Sequence, residues 1–360
     1  MKLLFVIGPL RKGGAERVVC NLSNELVKNN EVYIATTISN KSDYPLDKNV
    51  KIICLDTKEK KSFLIRNIRR INYLKKIIKE KKIDVAISFL PEPSYRLMLA
   101  KNKKIKTIIS DRNDPNIEYN SFFKKLLTKK LYSKSDGFVF QTPDAMNYFP
   151  KKIQERSVVI PNPINNVFFV EKPFNGKRKK VIVTVGRLTN QKNHKLLIDA
   201  FRIVQKKYKD YQLYIYGEGE LEDYLKKYAE SLNLNGCIVF KGNSNHLEKE
   251  LYDFKMFVLS SNYEGMPNAL MEAMALGLPC ISTDCPIGGP KYLINNNNGL
   301  LVPTNDVDEL AKAMIKVIED EKTADEISNN CYSDVKKYNN VQINDMWTSF
   351  ISKIHESKRE

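Results

Sequence analysis

The chain of 360 residues carries 59 Lys and Arg against 42 Asp and Glu, with 42% hydrophobic and 28% charged residues. That length suits two domains with cores of their own, and the composition excludes a disordered or fibrous chain. No apolar run approaches the ~18 residues of a membrane-spanning helix.

The N-terminal run Leu3-Leu4-Phe5-Val6-Ile7 is shorter than a secretory core, and Arg11 and Lys12 follow it instead of a cleavage site. The 6 cysteines show no C-x-x-C pair and no His at ligand spacing. They read as free thiols of a reducing, cytoplasmic compartment. Residues 1–170 hold 33 Lys and Arg against 16 Asp and Glu, so the whole net charge of +17 lies there and the remainder is balanced. A basic half of this kind suits a polyanionic partner, either an acidic membrane or nucleic acid.

In chain order, short apolar strands are expected at 2–7, 32–36, 51–55, 85–89, 107–109 and 137–140, with helices at 15–28, 62–81, 94–101 and 121–133. A Pro/Asn-rich linker, 161–180, follows. A second series has strands at 181–185, 212–216, 237–240, 256–259, 279–282 and 300–302, and helices at 193–208, 219–232, 245–253, 267–276 and 307–320. Alternation of this kind predicts an α/β chain of two Rossmann-like parallel-sheet domains, 1–170 and 171–340, facing each other across a cleft. Residues 341–360 read as a C-terminal helix returning to the first domain.

Three loops carry the candidate chemistry. The first, Gly8 to Arg17, follows strand one and is neither G-x-G-x-x-G nor a Walker phosphate loop. Its Gly13-Gly14 pair at a helix start lets backbone N–H groups approach an anion. The second is Gly186-Arg187-Leu188-Thr189-Asn190-Gln191-Lys192, where Arg187 and Lys192 could neutralise a diphosphate without a metal. The third, Glu264-Gly265-Met266-Pro267-Asn268-Ala269-Leu270-Met271-Glu272, spaces two carboxylates by eight. Pro267 suits a first helical turn, and the N–H groups of Asn268 and Ala269 are left to an incoming anion. Glu272 is the lone charge on an otherwise apolar, buried helix, which is costly unless a ligand diol or a protein cation meets it.

In this order the pieces resemble glycosyltransferase family 4, the retaining enzymes of the GT-B fold. They look like the bacterial transferases of surface polysaccharides and lipid-linked oligosaccharides, including N-acetylgalactosaminyltransferases of N-glycan assembly. The resemblance implies transfer of a hexose or N-acetylhexosamine from a nucleotide diphosphate to a polyprenyl-linked acceptor, with no metal or other cofactor. UDP is the expected nucleotide on its frequency in such enzymes, not on any residue here. By the same analogy Arg187 and Lys192 hold the diphosphate with Gly13, Gly14 and Gly186. Glu272 grips the ribose, and Glu264 with Gly265–Pro267 positions the sugar. Gly217-Glu218-Gly219-Glu220 and Phe240-Lys241-Gly242 look like family segments beside the nucleotide. Many members carry a His after a strand of the first domain; here Ser110-Asp111-Arg112-Asn113-Asp114 stands there, with Arg112 in that place.

Other signals read as structural. Asp306-Val307-Asp308 is a helix cap rather than a metal motif, and His194, His246 and His355 are too scattered for a metal site. The helix near 62–81 sets Leu64, Ile68, Ile71, Leu74 and Ile78 on one stripe, expected to face a sheet, with Arg66, Arg69, Arg70, Lys75, Lys76 and Lys79 between. With Lys124, Lys125, Lys129 and Lys130 it predicts reversible electrostatic docking, without insertion, on the inner face of the plasma membrane. The alternatives are an epimerase or phosphorylase on the same fold, and a nucleic-acid-binding protein; no nucleic-acid motif supports the last.

Overall fold

The computed structural model describes residues 1–11, 13–56, 62–112 and 114–357. Lys12 and Asn113, which belong to two of the loops singled out above, lie outside the described residues. The chain divides into two compact units, Met1–Pro163 with Asn340–Glu360, and Ile164–Asn339.

The first unit has seven parallel strands, β1 (Lys2–Val6), β2 (Glu31–Thr36), β3 (Lys51–Cys54), β4 (Val85–Phe89), β5 (Lys106–Ser110), β6 (Gly137–Phe140) and β7 (Ser157–Val159). Their order is β3-β2-β1-β4-β5-β6-β7. Helices α1 (Gly14–Leu26), α2 (Phe63–Glu80), α3 (Pro91–Ala100), α4 (Pro115–Glu118), α5 (Phe122–Tyr132), α6 (Pro143–Asn147) and α7 (Lys151–Gln154) connect them. The second unit has six parallel strands, β8 (Lys179–Val185), β9 (Gln212–Tyr216), β10 (Ile238–Gly242), β11 (Phe254–Leu259), β12 (Cys280–Thr283) and β13 (Leu300–Val302), in the order β10-β9-β8-β11-β12-β13. Its helices are α8 (His194–Lys207), α9 (Glu222–Ser231), α10 (Leu247–Glu250), α11 (Asn268–Ala275), α12 (Gly289–Leu293), α13 (Val307–Glu319) and α14 (Glu321–Val335). The chain then re-enters the first unit as α15 (Asn340–Glu356).

Central strands such as β4, Val-Ala-Ile-Ser-Phe, are buried at every position, because a parallel sheet is covered on both faces. Right-handed crossovers put α2, α3 and α5 on one face of the first sheet. Arg96 of α3 donates to Asn67 of α2 at 3.3 Å, and Tyr95 of α3 lies 2.5 Å from Thr128 of α5. On the other face α15 packs beside α1 and β5. Its Trp347 is wholly buried and stacks on Phe89 at 5.6 Å, and its Ile354 and Phe350 lie against Gly137.

Two expectations change. The stripe on α2 faces the sheet only from Ile71 onward: Leu74, Ile77 and Ile78 are buried, whereas Leu64 and Ile68 are exposed. Arg178, read as linker charge, is instead a tie within the second unit. Its guanidinium donates to the carbonyls of Phe254, Phe174 and Gly277 and to Ser328 Oγ, at 2.9–3.2 Å. Asp306 caps α13 as expected, accepting from the Glu309 N–H at 2.9 Å.

Candidate active site

Ligands of open parallel sheets sit at the carboxyl ends of the strands, where the strand order reverses. In the second unit that point lies between β8 and β11, and the loops following these two strands carry most of the expected residues. Lys192 Nζ lies 2.5 Å from Glu264 Oε1, and Ser261 Oγ donates to the same oxygen at 2.7 Å. Glu264 is buried. Backbone lacing holds the pair: the Asn262 N–H donates to the Gln191 carbonyl at 2.8 Å, and Ser260 Oγ to the Lys192 carbonyl at 3.0 Å. An ammonium has three donors, and this one hydrogen-bonds only Glu264 among the described residues, so it can also meet a second anion.

Lys192 and Arg187, expected together on a diphosphate, therefore differ in state. Arg187 is exposed and makes no side-chain bond among the described residues. It lines a depression of about 340 Å³ with Gly186, Gly217, Glu218, Gly242 and Ser244. Gly217 has φ +121°, and a Cβ there would stand 2.1 Å from the Gly186 carbonyl. Glycine alone lets the loop after β9 lie on the loop after β8. Gly186 itself lies under the methylene stem of Lys192.

Helix α11 begins one residue later than expected: Pro267 is its N-cap, and Asn268 and Ala269 open it, both half-buried. Met266 is buried, and the Gly265 carbonyl faces Gly289, where a Cβ would come within 1.7 Å. Gly289 so lets the two backbones touch. Glu272 shares a helix face with Asn268 four residues earlier. It is half-buried rather than enclosed, and it is itself engaged.

Two neighbours carry no sequence signal. His194 is buried with Nδ1 unpartnered, and burial, with the Lys192 charge, lowers its pKa to about 4. The Cys285 thiol is pushed up to about 12 by burial, and the nearby Glu264 charge adds to the rise. It is inert as a nucleophile at neutral pH.

In the first unit the order reverses between β1 and β4, and Gly13-Gly14 follows β1. Gly13 is the N-cap of α1, but its N–H donates to Tyr44 Oη at 3.0 Å, and the Glu16 carboxylate lies over its α-carbon. Desolvation raises the Glu16 pKa above the usual carboxylate value. The helix start thus already holds an oxygen ligand and a carboxyl group; Gly14 remains exposed.

Arg112 follows β5 and is buried, which the sequence did not suggest. Its Nε donates to Ser110 Oγ and its Nη1 to Asn162 Oδ1, each at 2.8 Å. Gln141 donates to that same Asn162 oxygen at 2.8 Å. The guanidinium lies over Phe89 and Trp347, 5.0 and 5.5 Å from their ring centres, and its Nη2 has no hydrogen-bond partner. Burial lowers its pKa to about 9. Such a group organises its surroundings; it does not reach out as an exposed acid or base.

Two doubly wound parallel sheets in one chain are the architecture of the GT-B fold. HepE of Anabaena, solved in complex with UDP, has this fold over 98% of this chain and 100% of its own, with a TM-score of 0.82 at 16% identity. Family models match on both sides of residue 167: Glycosyltransferase Family 4 over residues 12–167 and Glycosyl transferases group 1 over residues 168–334. The chain belongs to glycosyltransferase family 4 and is a glycosyltransferase. Two similar proteins come from Campylobacter jejuni. One, a GalNAc-alpha-(1->4)-GalNAc-alpha-(1->3)-diNAcBac-PP-undecaprenol alpha-1,4-N-acetyl-D-galactosaminyltransferase, is 28% identical over 98% of this chain and 99% of its own. The other, an N-acetylgalactosamine-N,N'-diacetylbacillosaminyl-diphospho-undecaprenol 4-alpha-N-acetylgalactosaminyltransferase, is 27% identical over 95% and 97%.

Proposed function

We propose that this chain transfers an N-acetylhexosamine, first among candidates N-acetylgalactosamine, from UDP to a saccharide carried on a polyprenyl diphosphate. The reaction retains configuration and takes place at the cytoplasmic membrane face. The observation that carries this reading is the Lys192–Glu264 pair at the β8/β11 reversal, flanked by the free Arg187 and the start of α11. The donor and acceptor classes rest on the Campylobacter relatives, whose names give N-acetylgalactosamine and diphospho-undecaprenol, and on the UDP held by HepE. The alpha linkages in the relatives' names support retention.

In this reading Arg187, Lys192 and the first N–H groups of α11 carry the donor diphosphate, and Glu272 accepts from the ribose hydroxyls. Glu264 keeps the Lys192 ammonium aimed and faces the sugar with Gly265 and Met266. The C1–O bond to UDP breaks while the acceptor oxygen bonds C1 on the same face. The acceptor proton passes to the departing phosphate oxygen, so no protein base is required. Arg112 supports the first unit's loop rather than touching the reacting atoms.

The test is turnover of UDP-sugars with a polyprenyl-diphosphate saccharide, with and without EDTA. UDP-N-acetylgalactosamine should be used best, and activity should survive the chelator. Arg187→Ala and Lys192→Ala should each lower turnover by on the order of 10²–10³, the scale of one lost charge-stabilising group. An absolute requirement for added Mg²⁺ or Mn²⁺, or a variant with wild-type turnover, refutes the clamp.

A further inference from the structure

The basic charge of the first unit lies beside an apolar surface that no described residue covers. At the start of α2, Phe63, Leu64 and Ile68 are 65%, 72% and 58% exposed, and at the start of α5, Phe122 and Phe123 are 75% and 81% exposed. Leu126 and Leu127 are exposed as well, so residues 122–127 have no buried face at all. Thr128, Leu131 and Tyr132 anchor the rest of α5. Connecting helices in right-handed crossovers run antiparallel to their strands. The first turns of α2 and α5 therefore project at the same, carboxyl edge of the sheet, on the same face, with α3 between them. Exposed Ile117 of α4 lies at that edge too, five residues beyond Arg112.

Cations prevail on α2 and α5, although the edge also carries Glu92 at the start of α3, which pairs with Arg96, and the half-buried Glu118 of α4. Lys124, Lys125, Lys129 and Lys130 are all exposed, and the only acid in α2 or α5 is Glu80, at the far end of α2. One cation of α2 serves otherwise: Arg70 is buried and pairs with Asp56 at 3.3 Å. The docking expected of the cations of both helices keeps Lys75, Lys76 and Lys79 of α2 and the four lysines of α5, all exposed, and the bare apolar turns stand beside them.

We propose that the first turns of α2 and α5 form a wedge that enters a bilayer of anionic lipids. Phe63, Leu64, Phe122 and Phe123 lie below the headgroups, and Lys124 and Lys125 lie among the phosphates. Apolar patches rimmed by cations favour such an interface over a protein surface. The wedge rests on the reading of the acceptor as membrane-borne, and it brings that acceptor's headgroup to the edge where the Ser110–Arg112 loop emerges.

The test uses the full chain and vesicles of phosphatidylcholine with or without phosphatidylglycerol, free of donor and acceptor. The sole tryptophan, Trp347, is wholly buried, so Phe123→Trp adds an indole that alone can meet lipid. With anionic vesicles its emission should shift to the blue and be quenched by brominated acyl chains. Phe122→Ser with Phe123→Ser should lower partitioning on the order of a hundredfold, about tenfold for each ring withdrawn from lipid. Lys124→Glu with Lys125→Glu should weaken binding at low salt more than at high salt. Transfer to a short-chain, water-soluble acceptor should keep the wild-type rate in both variants, which separates the wedge from the proposed reaction. Absence of quenching, equal partitioning of the Ser variant, or self-association of wild type that the Ser variant abolishes would each overturn the wedge.

Discussion

Lys192 meets Glu264 through chain segments more than 70 residues apart, and both side chains work only because the loops after β8 and β11 are laced together by main-chain bonds. The neighbour of Lys192 in the fold, His194, registers that crowding. It is held neutral, with a pKa near 4, beside the ammonium. The unfolded chain takes up a proton at His194 near pH 6.5, whereas the folded chain does not until about pH 4. The unfolded state therefore binds more protons between those values, and stability falls as the pH drops through that window. His194→Gln should remove this term: in urea unfolding, wild type should lose roughly 2 kcal/mol more than the variant between pH 7 and pH 4.5. Parallel losses in the two proteins would assign the acid sensitivity elsewhere.

At the scale of elements, the start of α11 depends on α12. Gly289 allows its backbone to touch the Gly265 carbonyl, and any Cβ would drive the two loops apart. Gly289→Ala should cost about 1–3 kcal/mol in unfolding free energy and raise the donor KM. Gly8→Ala, with nothing within 4 Å of the new methyl, should leave stability unchanged and serves as the control. Equal behaviour of the two variants would mean that the close approach is not needed.

Apolar strands bounded by turn residues are legible in the sequence whatever their length; β4, β6, β9 and the three-residue β13 fall on their expected bounds. What escapes is weakly apolar. Half-buried β7, Ser-Val-Val, offers little contrast with its flanks, and α14 buries small or polar residues, Ala324, Ser328 and Cys331, that make a faint stripe. The bare turns of α2 escape because periodicity tells which face is apolar, not where the sheet beneath it ends. The second unit's loops were legible as a group, since Gly, Pro and paired charges after strands mark ligand sites. The state of each charge was not. Arg112 looks solvent-facing among Ser110, Asp111 and Asp114, and only Phe89 and Trp347, far away in the chain, make it a buried group.

For the whole molecule, the telling feature is that the first unit is discontinuous in sequence. Ile343, Trp347, Phe350, Ile351 and Ile354 of α15 are all buried in it. At about 1.5–3 kcal/mol for each large apolar side chain, their burial rivals the ~5–15 kcal/mol that holds a domain together. A chain ending at Asn339 should lose protection of residues 1–163 in hydrogen exchange while Ile164–Asn339 keeps its own. Undiminished protection of the first unit would show that α15 is dispensable to it. During synthesis the usual order of assembly is then reversed. The half made first must wait, its Phe89 and Gly137 face uncovered, until Asn340–Glu356 has left the ribosome, while the half made second already holds every strand it needs. Newly made chains are most open to chaperones, and to one another, through the part of the protein that has existed longest.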